Sequence, residues 1–158
     1  MEKSTARKLE AFAKFIEKLP RKVINMESWA NIKIKNRTDL DPVVCKADVL
    51  EPKGNACGTA CCLAGWEVLR RGYCLDDSGN VYKKNRSIRS SAANFARESL
   101  GLSSGEASKL FFRDRWPGYS RGYYDFETGR WEHSSPSKFK GTPKGAAARI
   151  RHLIKTGE

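Results

Sequence analysis

Apolar residues recur at helical spacing in five stretches of the chain. Over 3–19, Leu9, Phe12, Ala13, Ile16 and Leu19 step by three and four, while Lys8, Lys14 and Lys18 fall off that stripe. The pattern predicts an amphipathic core helix, with Ser4 or Thr5 as its cap and Pro20 as its stop. Over 59–71 the first two turns are almost all small or apolar, and Cys61, Ala64, Gly65 and Val68 share one flat face. A buried central helix is expected there, capped by Thr59 or a neighbour and closed by Gly72 in left-handed backbone. A third helix is expected over 91–100, with Ala92, Phe95, Ala96 and Ser99 on one side and Gly101 at its end. A fourth follows over 104–112, opened by the capping-box pattern Ser103-Ser104-Gly105-Glu106. The fifth, over 143–155, has Thr142 as cap, Pro143 at its first position and an apolar stripe through Ala146, Ala147, Ile150, Leu153 and Ile154.

Between the helices the pattern turns short and strand-like. Val23–Met26, Asn31–Lys35 and Val43–Cys45 are strand-capable pieces bounded by turn signals. Tyr73–Leu75 and Val81–Tyr82 read as a hairpin joined through Asp76–Asn80. Its two carboxylates resemble part of a calcium loop but lack the spacing and the distal Glu, so the segment is a turn. Lys83–Arg89 reads as a basic linker. In the Gly-, Ser- and aromatic-rich stretch 118–141, Tyr123–Phe126 and Arg130–His133 flank Glu127–Gly129, an exposed second hairpin. The elements together predict one α+β domain over 1–158. It is mainly helical around the small-residue helix, with antiparallel hairpins at its edge and 118–141 as an insertion.

Composition sharpens this picture. Sixteen aromatic residues in 158 can make a real core, which excludes wholesale disorder. No apolar run is long enough for a membrane span, and the charged start Met1-Glu2-Lys3 lacks a secretory pattern. Five cysteines, an odd number, argue against a disulfide framework and for reduced thiols in a cytosol. The formal net charge is +12, of which +9 belongs to residues 80–158. A polyanion or a phosphorylated ligand would feel that bias most.

The segment Cys57-Gly58-Thr59-Ala60-Cys61-Cys62-Leu63-Ala64-Gly65-Trp66 resembles a family of small phage and prophage proteins with a Cys-Gly-Thr-x-x-Cys-x-Ala-Gly-Trp signature. Three further pieces match in order: the first helix leading to Met26-Glu27-Ser28-Trp29, the run from Ala96 through Leu110-Phe111 to Trp116-Pro117, and the closing Thr142-Pro143 helix. The resemblance implies a phage-type accessory protein working in a bacterial cytosol. It carries no biochemical activity with it.

Candidate chemistry gathers in three places. If Cys57-Gly58-Thr59 opens a helix, its free amides, the bare backbone at Gly58 and the Thr59 hydroxyl could hold phosphate. The same field would activate Cys57 as a nucleophile, with His152 as base. Lys84, Arg86 and Arg89 could neutralise phosphate charge, and Tyr123, Tyr124 or Trp131 could stack a base. The leading reading is therefore a non-catalytic protein that sequesters a phosphate-bearing ligand, such as a nucleotide-type immune signal held away from its host receptor. A Cys57-dependent enzyme and a basic DNA- or RNA-binding accessory protein are the alternatives. No cofactor and no metal are expected. A zinc site built on Cys57 and Cys61, completed by Cys74 or Cys45, lacks the usual paired knuckles. No phosphate-binding GxxxxGK[ST] loop, GxGxxG, HExxH or GxSxG motif is present. A homo-oligomer and a host protein partner both stay open.

Overall fold

The computed structural model describes residues 1–20, 30–31, 45–46, 60–76, 78–83, 86–112, 123–125, 130–132 and 142–158. In chain order its elements are α1 (Lys3–Glu17), β1 (Ala30–Asn31), β2 (Ala60–Cys61), α2 (Leu63–Arg70), β3 (Cys74–Leu75), β4 (Asn80–Lys83), β5 (Arg86–Ser91), α3 (Ala92–Leu100), α4 (Ser104–Phe111), β6 (Tyr123–Asp125), β7 (Arg130–Glu132) and α5 (Pro143–Thr156). The protein is a mainly helical α+β fold with small antiparallel sheets.

Each helix turns its apolar stripe into one continuous core. Leu9, Phe12, Ala13 and Ile16 of α1 meet Ala146, Ala147, Ile150 and Leu153 of α5, and Trp66 lies fully buried among them. Arg151 of α5 reaches Glu10 of α1, while Glu17 and Leu19 share a cleft with Thr142 and Pro143. The two helices therefore run antiparallel. Arg149 is buried on the inner side of α5, where its guanidinium donates to the Lys109 and Glu158 carbonyl oxygens. Burial lowers its pKa, opposed by the charge of Glu158.

Every residue of α2 from Leu63 to Leu69 is buried, as expected of a central helix. Its start is not where the small-residue pattern put it. Ala60 and Cys61 are extended and pair with Asn31 and Ala30, so the helix begins at Leu63 with Cys62 as its N-cap. Strand pairing with a distant segment overrides the local helical periodicity.

Cap chemistry agrees with expectation at four other ends. Gly72 and Gly101 close α2 and α3 at φ +80° and +75°. Ser103 and Glu106 complete a reciprocal capping box on α4, and the Thr142 hydroxyl accepts from the Gly145 amide ahead of Pro143. The start of α1 differs: Glu2 is its N-cap, without a side-chain bond, so neither Ser4 nor Thr5 caps it. Thr5 is buried and donates its hydroxyl to the Gly101 carbonyl at 3.0 Å, tying α1 to the α3–α4 corner.

The expected hairpin forms from β3 and β4, with Asp76 as its keystone. Its carboxylate accepts from the Asn80 amide and side chain at 2.8 Å and from the Tyr82 hydroxyl at 3.1 Å. Burial raises the Asp76 pKa, but these bonds outweigh it and hold the carboxyl below its ordinary value. Two expectations fail nearby. The basic stretch read as a linker contains β5, which adds a third strand in the order β3-β4-β5. And Cys45 is disulfide-bonded to Cys74, with Cα atoms 4.4 Å apart, so the thiols are not all reduced. An odd cysteine count leaves one residue over; it does not forbid a pair.

Candidate functional site

The most fully described chemical assembly is built on Glu67, a carboxylate with no solvent exposure in the middle of α2. Three residues donate to it. Arg70 Nε donates at 2.7 Å, Arg71 Nε at 2.8 Å and the Ser99 hydroxyl of α3 at 2.6 Å. A buried carboxylate needs such partners, because an unpaired charge out of water costs several kcal/mol. Arg70 is spent on the fold: its Nη2 also reaches Glu67, and its guanidinium lies 5.3 Å from the Phe12 ring centre. Arg71 differs. One nitrogen is anchored, and its two terminal amino groups have no partner among the described residues.

Arg71 and Ser99 open onto a cleft of about 420 Å³, lined also by Lys8, Tyr73, Phe95 and Glu98. The rings of Tyr73 and Phe95 are 4.7 Å apart, tilted at 56°. Lys83 of β4 stands over Tyr73, its Nζ 5.4 Å from the ring centre. Lys8 makes no ion pair with a described residue, whereas Glu98 is matched by Arg97 at 3.2 Å. The cleft thus joins a preorganised guanidinium and two lysines to an aromatic pair. That combination suits a ligand with an anionic group and a flat ring. Among the described residues no imidazole lines it; the carboxylates near it are Glu98, paired with Arg97, and Glu67, taken up by two guanidinium groups.

No family model, curated protein or solved structure matches this chain.

The residues singled out from the sequence are distributed unevenly. Cys57, Gly58, Thr59 and Lys84 lie outside the described residues. The premise that Gly58 and Thr59 open a helix is corrected by the start of α2 at Leu63. Arg86 and Arg89 belong to β5, with Arg86 paired in register to Lys83, which brings the start of that basic stretch beside the cleft. Tyr123 and Tyr124 lie in β6, and Trp131 of β7 sits opposite Tyr124, which forms the expected second hairpin. His152 lies half-buried on α5, away from the cleft lining. Among the described residues no cluster of three metal-ligating side chains occurs, and Cys45 and Cys74, the zinc completions considered, are bonded to each other.

Cys62 is a free thiol and is buried. Burial pushes it up to about 11, against hydrogen bonds from the Gly65 and Ala64 amides that pull the other way. It is a core residue rather than a nucleophile. Sequence reasoning missed Lys8, Glu67, Arg71, Tyr73 and Phe95. One signal was available: Glu67 precedes Arg70 and Arg71 by three and four residues within an otherwise apolar helix.

Proposed function

We propose that the protein is a non-catalytic binding protein that holds a phosphate-bearing, nucleotide-type small molecule in the Tyr73–Phe95 cleft. The observation that carries this reading is Arg71. Its guanidinium is fixed through one nitrogen by buried Glu67 and keeps two donors unspent beside Lys8 and two aromatic rings. Phosphate would take the Arg71 and Lys8 charges, and a base would lie against Tyr73 or Phe95. The resemblance of the Cys57–Trp66 segment to phage proteins extends the reading to capture of an immune signal in a bacterial cytosol, away from its host receptor.

Calorimetric titration with AMP, GMP and a cyclic dinucleotide tests it. At least one should bind and be recovered intact, and Arg71→Gln or Phe95→Ala should weaken it about tenfold or more, the loss of one charged hydrogen-bond set or one stacking face. Absence of binding by all three, or conversion of the bound nucleotide to product, would refute the proposal.

A further inference from the structure

The outward face of α1 carries Lys3, Arg7, Lys14 and, at its C-cap, Lys18, all exposed. At 3.6 residues per turn they fall within about 60° of arc, and at 1.5 Å per residue they span about 22 Å. None forms an ion pair with a described residue. The two acids of the same helix, Glu10 and Glu17, border this row on the α5 side, partly exposed, and Arg151 bonds both, at 3.3 and 2.9 Å. Across that seam α5 adds exposed Lys144 and Lys155. Arg151, with the charge of Lys144 beside Glu17, offsets these two carboxylates, and the solvent side of the helix pair keeps an excess of positive charge. Lys8, which serves the cleft, sits on the other flank of α1.

From this arrangement we infer that the α1–α5 face docks a nucleic acid through its phosphate backbone, without reading sequence. The inference is independent of the ligand proposed for the cleft. A bilayer is the poorer fit, because surface helices insert an apolar face and here Leu9, Phe12 and Ile16 are wholly in the core. A protein partner is also the poorer fit. Among the described residues the fully exposed apolar side chains on this face are Ala11 and Ala148, small ones that offer little to an interface centre. What remains is a rail of charges along a polyanion that carries one charge per about 1.7 Å of duplex axis.

Fluorescence anisotropy with a labelled duplex of about 20 base pairs, titrated with salt, is the test. With five to six phosphates neutralised, log K should fall with log salt at a slope of about −5, a loss of about 10³-fold between about 50 and 200 mM. The quadruple variant Lys3→Gln, Arg7→Gln, Lys14→Gln, Lys18→Gln should fold as the wild type does, since all four side chains are exposed. Its slope should drop to about −2, a loss of about tenfold over the same range. Arg71→Gln should keep the wild-type slope, which separates this surface from the cleft. The inference is overturned by a wild-type slope in the quadruple variant, by no duplex binding at about 50 mM salt, or by stronger binding to phosphatidylserine vesicles than to the duplex.

Discussion

Cys62 shows how far position outweighs chemistry at the scale of one residue. A thiol at a helix start would ordinarily be activated by the exposed amides, yet this one is raised because desolvation exceeds the pull of those amides. The consequence for stability has a definite sign. A thiol whose folded pKa stands at about 11, above an ordinary 9.0, favours the folded state fully below the ordinary value. That contribution is lost as pH rises from about 9 to 11. Denaturant melts at about pH 8 and about pH 10.5 should differ by about 2 kcal/mol more in the wild type than in Cys62→Ala. Equal differences in the two proteins would mean that Cys62 is not desolvated. Asp76 works in the opposite direction. Its carboxyl is held low, so its contribution is present above the ordinary carboxylate range and lost as pH falls through the lowered value.

Two arginine–glutamate networks tie elements together, and they are unequal. Arg151 bridges α1 and α5 through Glu10 and Glu17, but all three side chains are 38–41% exposed, and water screens such pairs. Glu67 joins α2 to α3 through Ser99 with no exposure at all. Glu67→Ala should therefore destabilise by about 1–3 kcal/mol, because the Ser99 hydroxyl and the largely buried Arg70 lose their acceptor. Arg151→Ala should leave the thermal midpoint close to that of the wild type. A larger loss in the second variant would reverse this ranking. Element ends were legible in the sequence where one local interaction decides them, as at Gly101, Ser103 and Thr142–Pro143. They were illegible where a distant partner decides. The start of α2 depends on Ala30–Asn31, and β5 depends on β4, whose bonds a run of basic residues does not announce.

Across the whole molecule the Cys45–Cys74 bridge closes a sequence separation of 29 residues. It fastens Cys45 and Lys46 to the edge of the three-stranded sheet, with Lys46 Nζ 5.4 Å from the centre of the Phe15 ring. Restricting the unfolded chain over that length is worth about 3–4 kcal/mol. Reductant, or a Cys45→Ser/Cys74→Ser double variant, should lower the melting temperature accordingly, and an unchanged melt would show that the bridge constrains nothing. Among the described residues, no helix is long and apolar enough to cross a membrane. The fold class was readable because burial periodicity repeats over whole helices. The cleft was not: Lys8, Arg71, Tyr73 and Phe95 come from separate parts of the chain, and only the packed core gathers them.

One acid in the centre of α2 answers to two masters. Any lineage that relaxes its demand for the ligand still cannot let position 67 drift, since the interior would come apart first. The grip on ligand is thereby shielded from gradual erosion, and loss of binding by mutation should begin at the rim, at Lys8 or Phe95, while the foundation stays intact.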